Sequence, residues 1–392
     1  MINSSLGILL GFILGIFTGL IPGIHINLLS VIIISIFNII SIDSYFFFFV
    51  ILSMSITHTF FNAFPSILLG IPDSESIFNV LAGHKLVLEG KAKKAIWLTL
   101  IGSLLGAIYS IPFFIVIYQI DDIPNNELIM LIVFFIILSV MILKNDTSIR
   151  FIVLFGLYGY LFLDVINLNE PLFHIFSGIF AIAPIITSIK EKVELPDQKP
   201  LKKDIKKTQM IKIIPTIIFS VSTLVFPGIS TSIGLMFLFM IIKTTDELYL
   251  ILTGAMDTIT MFLAIPFYYS MGYKRNGSII ALSELKSTIT YSEIIKVLII
   301  MILICYLNYE IANFLIKYIL NVLKKLNYLY INVTILIMIV IISIILDSFL
   351  GLFCLIIGVL LGLYLLNKDS PRYFAMNVIF IPVLYRTLTS LI

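Results

Sequence analysis

The sequence predicts an all-α polytopic membrane protein built from two inverted-topology repeats that contain broken or re-entrant helices. Of its 392 residues, 60% are hydrophobic and only 12% are charged, whereas a soluble domain carries about 25% charged residues. The mean hydropathy is +1.13, and many apolar runs reach the length of about 20 residues that crosses a bilayer core of about 30 Å. Runs of this length exclude an outer-membrane barrel, whose strands alternate over about ten residues.

About twelve hydrophobic segments organise the chain, in two groups that flank a charged stretch. They cover 5–41, 46–71, 95–120, 127–144, 151–165, 172–189, 211–242, 248–272, 294–319, 328–346, 348–366 and 372–391. The similar lengths of the two groups indicate an internal duplication. We therefore predict a first transmembrane repeat at 1–189, a cytoplasmic charged linker at 190–212 and a second, inverted transmembrane repeat at 213–392.

Proline anchors recur in the same order in the two halves. The stretch PGIHIN at Pro22 corresponds to PGISTS at Pro227. Similarly, THTFFNAFP, which ends at Pro65, corresponds to TITMFLAIP, which ends at Pro266. This ordered recurrence favours duplication over a chance alignment of Ile-rich segments.

Loop charges predict that the two halves face opposite ways. In the first half the loops 84–94 and 144–150 are basic, while 121–127 and 164–170 contain no Lys or Arg. The basic loop around Lys324 in the second half corresponds to an acidic loop of the first half. Because cytoplasmic loops are enriched in Lys and Arg, we predict a multi-pass protein of a prokaryotic plasma membrane with inverted halves.

One basic loop departs from this pattern. The loop 273–293 is predicted to lie outside, yet it contains Lys274, Arg275 and Lys286. Acidic neighbours nearly cancel these charges, so we keep the inverted orientation. No Lys or Arg lies in the middle of the candidate segments, so an anionic substrate would be held by helix N-termini and hydroxyls rather than by a guanidinium.

The first apolar run carries a glycine at every fourth position and then breaks. In GFILGIFTGLIPGIHINLL, residues 11–29, the glycines give a bare helix face that allows close packing. Pro22-Gly23 then interrupts the helix, and Pro227-Gly228 interrupts the run 211–242 in the same way. A break survives in hydrocarbon only where buried protein or an aqueous cavity satisfies the freed backbone groups. Paired interruptions in two inverted halves indicate the substrate site of a transporter.

Polar residues follow both breaks. A helix that restarts there presents unsatisfied N–H groups and a partial positive charge, which suit an anion. Capping of the restarted helix by these side chains is the alternative explanation. We predict that the substrate-binding residues are Pro22, Gly23, His25, Asn27, Pro227, Gly228, Ser230, Thr231 and Ser232.

A second polar group surrounds Asp257, which lies deep in an apolar run. Ionisable residues inside membranes are costly and mark functional sites, so Asp257 would bind a coupling Na⁺ or carry a proton that His58 could relay. A structural hydrogen bond or ion pair between helices is the alternative. The predicted coupling-ion residues are Thr57, His58, Thr59, Asn62, Asp257, Thr258 and Thr260. In contrast, we expect Asp347 in a water-facing loop and His174 at the membrane interface.

Three stretches of the sequence are GLIPGIHINLL, FNAFPSILLGIPDSESIFNVLAGHKLVLEGKAKKAI and GSLLGAI. They resemble the large membrane subunit of the tripartite tricarboxylate transporter family, in particular its shorter archaeal branch. Within the second, Gly83, Leu86, Gly90, Ala92 and Ala95 follow the family's G-x-x-L-x-x-x-G-x-A-x-x-A pattern. The resemblance covers about the first 110 residues well and extends thinly to FPGISTS and PRYFAMNVIFIPV.

The resemblance implies a secondary transporter of organic carboxylates that is driven by an ion gradient. In bacteria the family works with a small membrane subunit and a periplasmic binding protein, so we expect a small membrane subunit and an extracytoplasmic binding protein as partners. This sequence has Asn62-Ala63-Phe64 in place of the family's Gly-Gly-Ser and Pro72-Asp73 in place of its second Pro-Gly.

These observations favour a secondary active transporter of a small organic anion, with the substrate site at the paired broken helices and an alternating-access mechanism. A passive channel, or a flippase for lipids or solutes, is the alternative. An intramembrane enzyme is disfavoured because neither a His-Glu-x-x-His nor a Gly-x-Ser-x-Gly motif occurs. We therefore expect no catalytic residues, no nucleic-acid partner, and no cofactor or metal other than Na⁺ or H⁺ as the coupling ion.

Overall fold

The computed structural model describes residues 2–21, 26–39, 43–70, 79–120, 131, 135, 138–139, 142, 148–190, 196–226, 231–323, 328–368 and 372–390. Among these residues there are helices and connecting turns and no β-strand. Six helices of this part of the chain are long and apolar enough to cross a membrane: Ser44–Leu69, Ala92–Tyr118, Lys207–Val225, Asp246–Met271, Tyr291–Val322 and Asn332–Asn367. The predicted all-α polytopic class is therefore confirmed, while the predicted domain boundaries stay predictions.

Helices make up both halves of the described chain. The first half contains α1 (Ile2–Leu20), α2 (Ile26–Ile39), α3 (Ser44–Phe61), α4 (Ala63–Leu69), α5 (Lys85–Leu88), α6 (Ala92–Tyr118), α7 (Ser148–Tyr160), α8 (Pro171–Phe176) and α9 (Ala183–Lys190), with π-helical turns at Val80–His84, Leu161–Val165 and Ser177–Ile182. The second half contains α10 (Lys207–Ile211), α11 (Ile214–Val225), α12 (Thr231–Ile241), α13 (Asp246–Met271), α14 (Gly277–Leu285), α15 (Tyr291–Leu323), α16 (Tyr328–Asn367) and α17 (Asn377–Ser390), with a 3₁₀ turn at Arg372–Met376.

Both apolar runs that contain Pro-Gly are interrupted. In the first run, α1 ends at Leu20 and α2 begins at Ile26. In the other run, α11 ends at Val225, Phe226 is extended with φ −90° and ψ 124°, and α12 begins at Thr231. The predicted residues Pro22, Gly23, His25, Pro227, Gly228 and Ser230 lie outside the described residues.

The glycine stripe of α1 packs against α3. A Cβ atom added to Gly15 would lie 2.5 Å from the Cβ of Thr57, and one added to Gly19 would lie 2.5 Å from the Cβ of Phe61. Gly11 meets the backbone of α3 in the same way. Because nothing larger than a hydrogen fits at these positions, the two helix backbones lie in direct contact, as the spacing predicts.

A second close helix pair joins the two halves of the chain. Gly102 of α6 faces the carbonyl group of Ile251 on α13, and Gly254 of α13 faces the backbone of Thr99 on α6. The Ser103 hydroxyl donates a 3.0 Å hydrogen bond to the carbonyl oxygen of Gly254. This pair holds α13 in the interior, where the helix is buried along most of its length.

The helix α16 consists of two arms joined by a sharp turn. A straight helix of its 40 residues would be about 60 Å long, about twice the thickness of a bilayer core. Asp347 (φ −140°, ψ 20°) and Ser348 (φ 51°, ψ −137°) depart from helical geometry at its midpoint. Ser343 on one arm and Gly351 on the other both contact His174, so the arms meet at this residue.

The two arms of α16 run antiparallel along the segment that follows His174. Close to the turn, both arms contact His174 itself. Farther from it, Ile339 of the first arm packs with the segment 181–185, and Gly362 of the second arm contacts the same segment. The chain therefore reverses direction at the turn, and each arm has the length of one membrane crossing, as the two separate apolar runs predict.

The described part of the linker, residues 196–206, lies against the start of α6. The backbone N–H of Lys199 donates to the carbonyl oxygen of Gly90 at 2.8 Å. The side-chain oxygen of Gln198 accepts a 2.8 Å hydrogen bond from the backbone N–H of Ala92. The connection between the two halves is thus attached to the first half.

Candidate functional site

The helices α3 and α13 meet through two hydroxyl groups. The Oγ1 atoms of Thr59 and Thr258 lie 3.2 Å apart, and these side chains are only 6% and 1% exposed. The aligned motifs pair Thr57 with Thr258 and Thr59 with Thr260, so this contact joins two residues of the motifs that are not each other's counterparts. The structure therefore brings two predicted coupling-ion residues into direct contact, 199 residues apart in the chain.

Asp257 precedes this contact on α13. It lies eleven residues after Asp246, at which the 26-residue helix begins, so its depth is about 16 Å along a helix of about 39 Å. The residue is 7% exposed. A carboxylate at this depth is costly to ionise without compensating interactions, so its position suits a group that binds a cation or takes up a proton.

His58 connects α3 to α1. Its Nδ1 atom lies 3.1 Å from the Oγ1 atom of Thr18. The Thr18 hydroxyl donates its one hydrogen to the carbonyl oxygen of Gly15 at 3.1 Å, so the Nδ1–H of His58 is the donor to Thr18. Thr18 was missed by the sequence analysis, because a single threonine in an apolar run carries no pattern.

Two further polar contacts involve asparagines, and one of these lies beside a predicted residue. Asn308 of α15 donates a 3.2 Å hydrogen bond from Nδ2 to the Oγ1 of Thr57. The Thr253 hydroxyl of α13 donates a 2.6 Å hydrogen bond to the Oδ1 of Asn79. Both asparagines are fully buried, and the sequence analysis did not identify either, although an isolated amide inside an apolar run is itself a signal.

Asn62 and Thr260 carry buried polar atoms of another kind. Among the residues that the structure describes, neither side-chain atom of Asn62 has a hydrogen-bond partner, and neither do the Thr260 hydroxyl and Asn308 Oδ1. Asn62 lies one turn after Thr59, at the junction of α3 and α4. A buried polar atom without a partner costs about 1–3 kcal/mol, and oxygens of this type are the ligands that hard cations prefer.

The predicted substrate-binding residues within the described chain lie where helices restart. Asn27 is in the first turn of α2, while Thr231 and Ser232 open α12. Ser232 is fully buried and Thr231 is half-buried. The first turn of a helix has N–H groups without intrahelical acceptors, and these can bind an anion.

Arg275 holds the end of α11 just before the second break. Its Nε atom donates to the carbonyl oxygen of Leu224 at 2.7 Å, and its guanidinium Nη2 donates to that of Val225 at 2.5 Å. A cation is favourable at a helix C-terminus, where the carbonyl groups lack intrahelical donors. Burial lowers the pKa of Arg275 from its ordinary value. This basic residue of the loop 273–293 therefore has a structural role.

Asp347 and His174 form a buried pair, contrary to the expectation that Asp347 lies in a water-facing loop. Asp347 Oδ2 lies 2.8 Å from His174 Nε2, with side-chain exposures of 4% and 0%. The carboxylate also accepts the backbone N–H groups of Asn169 at 2.6 Å and Glu170 at 3.0 Å, while Ser343 Oγ lies 3.0 Å from His174 Nδ1. The reversal of α16 places Asp347 against the start of α8, which explains why the Asp347 side chain is buried.

Comparison with known proteins places these features in a family. The family model of the Tripartite tricarboxylate transporter TctA family matches residues 6–376. The uncharacterized protein MJ1079 of Methanocaldococcus jannaschii is 30% identical over 149 residues, which cover 36% of this chain and 38% of that protein. No solved structure matches the chain. With its membrane-length helices and a match over nearly its whole length, the chain belongs to the tripartite tricarboxylate transporter TctA family and is a multi-pass membrane protein.

Proposed function

We propose that the protein is a secondary active transporter that couples the movement of a small organic carboxylate to a gradient of Na⁺ or H⁺. The observation that carries this proposal is the Thr59–Thr258 contact beside Asp257. It joins the helix that follows the first broken segment to the helix that follows the second. Family membership supports the transport of carboxylates.

The substrate carboxylate would bind at the two breaks. The helices α2 and α12 begin there, and their first-turn N–H groups and hydroxyls favour a negative charge. The guanidinium of Arg275 already binds two backbone carbonyls, so it stabilises the end of α11 rather than the substrate. Binding by N–H groups and hydroxyls suits a small carboxylate better than a strongly charged one.

The coupling ion would bind around Asp257, at the depth in the helix bundle where α13 holds this residue. A sodium ion would use the carboxylate and neighbouring hydroxyl oxygens, including those of Thr59 and Thr258, because hard cations prefer oxygen ligands. A proton would instead neutralise Asp257 directly. His58, whose Nδ1 hydrogen is directed to Thr18, could then pass a proton only through its other nitrogen.

The partners would be a small membrane subunit and an extracytoplasmic binding protein, as in the tripartite systems that the family name denotes. Alternating access would expose the broken segments to one side of the membrane at a time.

The test is uptake of labelled mono-, di- and tricarboxylates into proteoliposomes that contain the purified chain, with and without inward Na⁺ and H⁺ gradients. We expect gradient-dependent uptake of one class of carboxylate, which Asp257→Asn abolishes. Asp246→Asn is the matched control, since it makes the same change on the same helix at a half-exposed position, and it should retain uptake. Uptake that is independent of any gradient, and that persists in Asp257→Asn, would favour a passive channel instead.

A second arm of the same experiment tests whether uptake depends on the proposed partner subunits. Adding a binding protein and a small subunit encoded with the transporter should raise uptake if the system is tripartite. Failure to transport any carboxylate with these components present would refute the proposed substrate class.

A further inference from the structure

A basic cleft lies at one end of the helix bundle, away from the site at Asp257. Its volume is about 440 Å³, and it is lined by residues just before α6, by the start of α13 and by residues on either side of α10 and after α12. The candidate membrane spans Ala92–Tyr118, Lys207–Val225 and Asp246–Met271 all begin there. The cleft therefore lies at the level where helices enter the membrane.

The acidic residues that line the cleft are already neutralised. Each is paired with a lysine nitrogen: Glu89 with Lys91 at 2.7 Å, Asp246 with Lys85 at 2.7 Å and Glu247 with Lys94 at 2.6 Å. Lys206, Lys212 and Lys243 also line the cleft. Within the described part of the chain, no carboxylate forms a salt bridge with any of these three lysines. Lys94 also pairs with Asp204 at 3.2 Å, so these six lysines and four carboxylates leave the cleft and its margin with a surplus of two positive charges.

An apolar strip extends from the same lysines. Ile214 and Ile218 are 49% and 69% exposed on one face of α11, which begins just after Lys212. Ile241, which is 73% exposed, ends α12 just before Lys243. Both lysines line the one cleft, so the exposed isoleucines on both helices flank it. A positive cleft with an apolar margin matches a molecule that has an anionic head and hydrocarbon chains.

We propose that this cleft binds the phosphate headgroup of an anionic phospholipid, with Lys206, Lys212 and Lys243 around the phosphate and the acyl chains along the isoleucine strip. The phosphate accepts charge-assisted hydrogen bonds from the lysine ammonium groups. The same lysines would bind a free phosphate compound, but the isoleucine strip favours the lipid. The loops that form the cleft belong to the predicted cytoplasmic side, where anionic lipids attract basic segments.

The first experiment measures binding of fluorescent phosphatidylglycerol to the purified full chain in mixed micelles, with phosphatidylcholine of the same acyl chains as the reference lipid. We expect tighter binding of phosphatidylglycerol. The double variant Lys212→Gln/Lys243→Gln should weaken it about 25-fold, which is about fivefold for each basic side chain at an anionic surface. The matched control is Lys202→Gln/Lys203→Gln, which removes the same charge from exposed linker positions outside the cleft.

The outcomes separate the sources of the phosphate. Competition by inorganic phosphate at the same concentration as the lipid would assign the site to a soluble phosphate. Weakening of lipid binding by Ile214→Ser/Ile218→Ser, without effect on inorganic phosphate, would assign it to the lipid. Equal loss in the cleft and linker variants, or no preference for phosphatidylglycerol and no phosphate binding, would overturn the proposal. Unfolding temperatures of all variants show whether each one is folded.

Discussion

Replacing Arg275 by glutamine should loosen the end of α11 beside the second break. The arginine donates to the carbonyl oxygens of Leu224 and Val225 at 2.7 and 2.5 Å. Hydrogen bonds from a charged donor contribute about 1.5–3 kcal/mol each. Because the guanidinium is only half-buried and water can replace it in part, we expect a total loss of about 2 kcal/mol. At about 2 °C per kcal/mol, Tm should fall by about 4 °C.

The same substitution should impair transport if the second break contributes to the substrate site. A displaced end of α11 would change the position of the helix that restarts at Thr231, so the KM for the transported carboxylate should rise. The assays are thermal unfolding of the purified protein and initial uptake rates in proteoliposomes.

Lys274→Gln is the control for Arg275→Gln. It removes the same charge from the adjacent residue, which is exposed and makes no hydrogen bond to α11 among the described contacts. Equal unfolding temperatures and equal KM values in the two variants would refute the role assigned to Arg275.

Three further predictions concern the packing and charges of the fold. Gly254→Val should overlap the backbone of α6 and reduce stability by about 3 kcal/mol or more, seen as a lower Tm and less monodisperse protein; an unchanged Tm would contradict the close contact. His174→Ala removes one donor from the buried Asp347 carboxylate and should cost about 2–3 kcal/mol, whereas an effect below about 0.5 kcal/mol would show that the pair is unimportant. The hydrogen bond to Asp246 raises the pKa of Lys85 above its ordinary 10.5, so any stability that wild type has over Lys85→Gln should be constant below pH 10.5 and vanish at higher pH. Thermal unfolding of both proteins between pH 8 and 12 tests this prediction, and a stability difference that grew with pH would contradict it.

The sequence predicted the features that arise from local chemistry. A Pro-Gly pair favours a break in a helix, and glycines at every fourth position leave a bare face, so both interruptions and the α1–α3 packing followed from short stretches. Thr59 and Thr258, whose hydroxyls lie 3.2 Å apart, both belong to the aligned threonine-containing motifs, although the alignment pairs Thr59 with Thr260.

The contacts that sequence analysis missed depend on residues that are distant in the chain. His174 and Asp347 are 173 positions apart, and Asp347 at the end of an apolar run looks like any loop residue until α16 reverses and buries it. Arg275 is 51 positions from Leu224. Its loop departs from the predicted orientation, and charge counting does not distinguish a helix-capping arginine from a topological signal.

The glycine contacts also determine which parts of the protein can move relative to one another. Where helix backbones touch, as in α1 with α3 and α6 with α13, no side chain lies between them that could change rotamer and let the helices slide. Each helix pair therefore moves as one rigid unit. Thr59 and Thr258 lie where these two units meet. Each hydroxyl can replace its hydrogen bond to the other with one to water at little net cost in free energy. In an alternating-access cycle, the two helix pairs would therefore separate at the Thr59–Thr258 contact. The extent of this movement would be set by how far the two rigid helix pairs can tilt before water enters between them.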